Sequence, residues 1–206
     1  MMFDDIVKRE YNDTIIEYGV MNGKRTDRLV LIKAGQNGSC YGYKNKYVRI
    51  AENIAFQYGF SVVVASNPFN GGNPLEDAME FINEYYGAIP EKVFYMGLSN
   101  GAVIGAWYAH LYPNIMNMLL VNMPIGVTYW HYTKECIENY ISNGVLDVVY
   151  GEYDLSFPYM ELFDEILGVN THVAMGEDHN FTFSMREFLE LPEKYLLYRE
   201  KPLEIY

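Results

Sequence analysis

Apolar positions along this chain alternate between two periods. The runs "FSVVVAS" (60–66), "KVFYMGLS" (92–99), "NMLLVNMP" (117–124), "VLDVVYG" (145–151) and "THVAMG" (171–176) are short, β-branched or nearly continuously apolar, and read as strands. Between them the spacing is helical. In "YVRIAENIAFQYG", Val48, Ala51, Ala55 and Tyr58 share a face. In "NPLEDAMEFINEYY", Asn73 is a cap, Pro74 stands in the first turn, and Leu75, Ala78, Met79 and Ile82 line one side. Cys136, Ile137, Tyr140 and Ile141 make a third stripe, and Leu162, Phe163, Ile166 and Leu167 a fourth. The last helix starts near "SMRE", a capping box of Ser184 and Glu187. Strand and helix in alternation, with strands apolar on both sides, predict an α/β protein: a mostly parallel twisted sheet with helices on both faces.

The chain opens differently. "TIIEYGVM" and "RLVLIKAG" flank "NGKRTD", and Asn22-Gly23 tolerate positive φ, which predicts an N-terminal antiparallel hairpin. No repeat, low-complexity tract or linker interrupts the rest, so residues 1–206 read as one domain. Only about 20 residues separate Pro124 from Val145, room for one helix and no large cap insertion.

In open parallel sheets, ligands bind at the carboxyl ends of strands, so a polar residue just past a strand is a site candidate. Ser99 is one. "VFYMG" is a strand, "LSNG" a turn and "AVIGAWYA" a helix, the setting of the G-x-S-x-G nucleophile elbow. The serine backbone is held in an unfavourable conformation, and a side chain at Gly97 or Gly101 would collide with a neighbouring element. Asn100 then opens the helix with its N–H aimed where an oxyanion would form. The plainer reading is a glycine-rich strand-to-helix turn.

A serine hydroxyl needs a base. Of the four histidines, His110 lies about three turns into the helix after Ser99, His131 sits in the aromatic connection "TYWHYT", and His172 starts the last strand. His179, in "VAMGEDHNF", follows that strand, where a base would face the cleft. For the carboxylate that orients it, "VLDVVYGEYDLSFP" offers Asp147, Glu152 and Asp154. Asp147 falls early in its strand, an edge charge or helix partner. Asp154 lies in the loop leaving the sheet, with Glu152 as the alternative, and the chain order Ser99, Asp154, His179 is that of a Ser…Asp…His triad.

From about residue 27 to the last helix, the motifs "GLSNG", "GEYD" and "GEDH", each after a strand, and "LVLIKAGQNGS" resemble the α/β-hydrolase family in a small, lidless version. The resemblance implies a serine hydrolase working through a covalent acyl-enzyme. It also implies a second oxyanion donor in the loop after "LVLIKAG": the N–H of Gln36, with Asn37 as its rival. Where many members carry His-Gly, this chain has Ala34-Gly35. "GVTYWHYT" (126–133) is the expected substrate rim, with Tyr129 and Trp130 as rigid apolar surface, or else plain core packing.

Composition narrows the alternatives. A net charge of −12 disfavours nucleic acid and anionic membrane as partners. "MMFDDIVKRE" has no apolar core of signal-peptide length, and two cysteines, Cys40 and Cys136, make no disulfide framework; a cytoplasmic location is the expectation. Glu152, Asp154, Glu177, Asp178 and His179 lack a recognisable metal-ligand spacing, and no cofactor is required. The expected partner is a small-molecule acyl substrate. Peptidase and thioesterase chemistry use the same residues, and a non-catalytic binding protein on the same scaffold is the competing class.

Overall fold

The computed structural model describes residues 2–68, 72–125 and 127–203. Eight strands form one sheet among these residues: β1 (Asp5–Tyr11), β2 (Thr14–Met21), β3 (Arg25–Lys33), β4 (Phe60–Ala65), β5 (Lys92–Leu98), β6 (Ile115–Val121), β7 (Val145–Gly151) and β8 (Val169–Ala174). Their order is β1-β2-β4-β3-β5-β6-β7-β8. From β4 to β8 every neighbouring pair is parallel, and β2 is antiparallel to both β1 and β4.

Alternation along the strands fills two cores. Leu29 and Leu31 of β3 and Val93 and Tyr95 of β5 face α2 (Pro74–Tyr86), α3 (Asn100–Tyr108) and α4 (Val127–Ile141). Val30, Ile32, Phe94 and Met96 face α1 (Lys46–Tyr58) and α5 (Met185–Leu191). Asn73 caps α2 as expected, its Oδ1 accepting the N–H of Leu75 and Glu76, and one half of the capping box forms, with Ser184 Oγ accepting the N–H of Glu187. Cys40 and Cys136 are buried and unpaired. Among the described residues no helix is long and apolar enough to cross a membrane.

Three local expectations are corrected. The antiparallel hairpin joins β1 to β2, not β2 to β3, and the residues with positive φ are Asn12 (48°) and Asp13 (59°). β1, "DIVKREY", is an edge strand in which only Val7 and Tyr11 are even partly buried, too few apolar positions to make a period that reveals it. It pairs instead through its backbone and a Lys8–Glu17 ion pair at 2.8 Å. "NGKRTD" carries the chain past β4, which lies between β2 and β3.

The second correction concerns "VTYWHYT", which is helix and not connection. Trp130, Thr133, Ile137 and Tyr140 bury one face of α4, which outweighs the poor helix propensity of aromatic and β-branched residues; Gly126 lies outside the described residues. The third concerns Leu162 to Leu167. Phe157–Glu165 form tight helical turns that bury Phe163, and Leu167 is 93% exposed.

Candidate active site

β5 ends at Leu98, and Ser99 turns the chain into α3 with φ 55° and ψ −122°, a conformation costly for any L-residue. Close packing holds it there. A Cβ on Gly97 would stand 2.4 Å from the Gly101 carbonyl oxygen, and one on Gly101 would stand 2.3 Å from that of Lys33. Helix, elbow and the end of β3 touch backbone to backbone, which only glycine permits at these two positions.

The acid arrives from β7. Past Gly151 the chain folds back, with the Asp154 N–H donating to the Gly151 carbonyl at 3.0 Å. Asp154 is buried; its Oδ1 accepts the N–H of Ser156 and its Oδ2 meets Nδ1 of His179. Burial alone would raise its carboxyl, but the His179 and Ser156 bonds outweigh that and hold it below the usual carboxylate range. His179 is partly exposed, and its Nε2 has no partner among the described residues.

The loops carrying the pair are laced together. Glu152 N–H donates to the Ala174 carbonyl at 3.0 Å, Tyr153 N–H to that of Glu177 at 2.8 Å, and Gly176 N–H to Glu152 Oε2 at 2.8 Å. Glu152 therefore braces the histidine loop and leaves His179 to Asp154. Phe181, at φ 55°, is fully buried and packs its ring on Phe188, anchoring the same loop in the core.

Two asparagines that sequence reasoning passed over complete the frame. Asn122, at the end of β6, accepts the Gly151 N–H at 2.8 Å through Oδ1 and donates to the His179 carbonyl at 2.9 Å through Nδ2. Asn67, past the end of β4, donates to the Ala34 carbonyl at 3.0 Å and to Asn100 Oδ1 at 2.9 Å. Its own carbonyl accepts the Asn37 N–H at 2.7 Å. Their position just after a strand was a readable signal, but an asparagine carries no nucleophile or base to mark it.

That last bond separates Gln36 from Asn37. The Asn37 N–H is engaged, whereas the N–H groups of Gln36 and Asn100 donate to nothing among the described residues. Two cavities meet at this point. One, of about 400 Å³, is lined by Gln36, Asn100, Val103, Ile104, Trp107 and Tyr108 with Pro68 and Pro74. The other, of about 260 Å³, is bounded by Gln36, Tyr43, Lys46, Ser99, His179 and Asn180. Ser99 and His179 thus border one cleft.

The remaining candidates lie elsewhere. Tyr129 is exposed, its ring 6.1 Å from that of Trp107. Trp130 is buried against Phe163 and lines neither cavity. Asp147 pairs with His172 Nε2 at 2.7 Å, a second Asp–His contact, formed between β7 and β8 and not in their loops. Among the described residues no group of three or more His, Cys, Asp or Glu is placed to hold a metal ion.

No family model matches the sequence, and no curated protein matches it. Solved structures do. A dienelactone hydrolase from Anabaena variabilis superposes with a TM-score of 0.73 at 12% identity, over 96% of this chain and 97% of that one. Est1E from Butyrivibrio proteoclasticus gives 0.71 at 10% identity, over 92% and 96%. An alpha-beta serine hydrolase homologue from Coxiella burnetii gives 0.67 at 16%, over 93% and 96%. The chain has the α/β-hydrolase fold.

Proposed function

We propose that this protein is a serine hydrolase that cleaves a small carboxylic ester or related acyl substrate through an acyl-Ser99 intermediate. The reading rests above all on a strained Ser99 and on His179, oriented through Nδ1 by a buried carboxylate, bordering the same cleft. With Nδ1 protonated against Asp154, Nε2 is the ring nitrogen that accepts the Ser99 proton as Oγ attacks the acyl carbon. The oxyanion is received by the free N–H groups of Gln36 and Asn100, the latter at the N-terminus of α3.

Collapse of the tetrahedral adduct breaks the acyl C–O bond, and the imidazolium returns its proton to the leaving oxygen. Water then repeats the sequence on the acyl-enzyme and releases the acid. The apolar cavity beside Asn100 takes the acyl chain, with Trp107 as its wall. Every step uses side chains and main-chain N–H groups of this chain.

Hydrolysis of p-nitrophenyl butyrate, with and without chelator, is the direct test. Turnover is expected in both conditions, with Ser99→Ala lowering kcat on the order of a thousandfold or more. Hydrolysis that survives Ser99→Ala, or that chelator abolishes, overturns the reading.

A further inference from the structure

Lys46 opens α1 and borders the same cleft as Ser99 and His179, yet it is only 2% exposed. Its ammonium lies 4.1 Å from the Phe188 ring centroid and 5.5 Å from that of Tyr47, faces that attract a cation but accept no ordinary hydrogen bond. Among the described residues it has no ion-pair or hydrogen-bond partner. The carboxylate whose charge reaches it, Asp178, has its oxygens engaged by the N–H groups of Asn180 and Thr182 and by the Thr182 hydroxyl.

An ammonium largely withdrawn from water and without an anion is costly to keep, and active-site clefts are where such costs are retained. Burial lowers the Lys46 ammonium to about 8, opposed by Asp178. The backbone around it carries strain as well. Gly42, Lys44 and Asn45 have φ of 67°, 50° and 57°, and a Cβ on Gly42 would stand 2.9 Å from Lys46 Cγ. The Lys46 side chain therefore packs directly against the Gly42 backbone, which borders the same cleft.

We propose that the substrate carries a carboxylate on its alcohol half, and that Lys46 binds it. The inference rests on the proposed hydrolase reading. His179 must deliver its proton to the leaving oxygen, so the alcohol lies on the His179 side, in the cleft that Lys46 borders. The acyl chain takes the larger, apolar cavity on the Asn100 side. The substrate is then an O-acyl hydroxy acid: acyl ester plus water yields a carboxylic acid and a free hydroxy acid, with one C–O bond broken and one formed. One lysine bordering a cleft of about 260 Å³ suits a single carboxylate.

The test compares two butyryl esters that differ only in charge, those of β-hydroxypropanoate and β-hydroxypropanamide, by butyrate release. The wild-type protein is expected to favour the carboxylate in kcat/KM by about tenfold, the size of one charge-assisted bond. Lys46→Met is expected to bring the ratio near one, and Lys46→Arg to retain most of it. The ratio is internal to each protein, and the wild-type value stands even if a variant folds poorly. A wild-type ratio of one or less, or a preference that survives Lys46→Met, overturns the proposal. Failure to hydrolyse any ester, p-nitrophenyl butyrate included, overturns the hydrolase reading and this proposal with it; Ser99-dependent turnover without a charge preference overturns only this one.

Discussion

The Asn122 amide, just past the end of β6, donates to the main-chain carbonyl of His179 at 2.9 Å, although the His179 loop follows β8, two strands away in the sheet. Through its other atom it accepts the Gly151 N–H, so a single fully buried side chain joins the loop of Asp154 to the loop of His179. Asn122 also sits at φ 50°, a conformation that asparagine tolerates better than alanine. Asn122→Ala is expected to cost about 2–4 kcal/mol in urea unfolding, from two lost bonds, buried groups left unpaired and backbone strain. It should also lower kcat more than it changes KM, since the substrate does not touch this residue. Unchanged stability would show that the two loops hold each other without it.

Asp154 and Asp147 each meet a histidine, and only one pair borders the Ser99 cleft. Asp154→Asn is expected to keep the fold and lower kcat about ten-thousandfold, because the amide favours the wrong imidazole tautomer. Asp147→Asn should leave kcat within about twofold. Glu152→Gln, which weakens the brace on Gly176, should fall between the two. Steady-state kinetics on one ester rank the three, and an active Asp154→Asn would remove Asp154 from its role.

Ser99 alone among the serines is expected to react readily with a fluorophosphonate, as read by mass spectrometry of labelled peptides. Ser156 is buried and its N–H is committed to Asp154, and Ser39 has no base beside it in the cleft. Label on either, or none on the folded protein, argues against the elbow as nucleophile.

The walls of the apolar cavity limit the acyl chain. Each methylene buried between Val103, Ile104 and Trp107 contributes about 0.8 kcal/mol, so kcat/KM should rise with chain length and level off within roughly two to six carbons. Trp107→Ala removes one wall and should move the optimum to longer chains. A profile still climbing at about twelve carbons, in a series where each buried methylene counts equally, would place the acyl group elsewhere.

Lys33 is buried at the end of β3, its ammonium donating to the Ser66 carbonyl at 2.7 Å, next to Asn67. Burial lowers it from 10.5 to about 8, with Asp77 opposing. The unfolded chain therefore holds this proton to higher pH than the folded one, and the group's contribution to stability rises as pH climbs from about 8 to about 10.5. Lys33→Met lacks that rise. Its unfolding free energy relative to wild type should fall steadily across the same window, measured by urea unfolding; a constant difference would mean that Lys33 is not desolvated.

Much of the candidate triad is legible in the chain because the features that mark it are local. A serine between glycines at a strand-to-helix turn, and an acid and a histidine a few residues past later strand ends, are short-range patterns that sequence displays directly. The parallel core strands are legible for a related reason. Buried on both faces, they are apolar at most positions, whatever their neighbours are.

What the tertiary structure alone decided is everything that depends on which segments meet. β1 pairs by backbone hydrogen bonds and has no apolar stripe, so only the folded sheet reveals that it, and not β3, closes the hairpin with β2. Trp130 and Tyr129 are adjacent in sequence and look equally suited to a substrate rim. The turn of α4 sends one into the core against Phe163 and leaves the other outside beside Trp107. Asn67 meets Asn100 33 residues on, Asn122 meets Gly151 and His179 at separations of 29 and 57, and Lys46 meets the ring of Phe188 near the other end of the chain. A residue's chemistry is written in its side chain, but its partners are set by the long-range packing that brings distant loops to one end of the sheet.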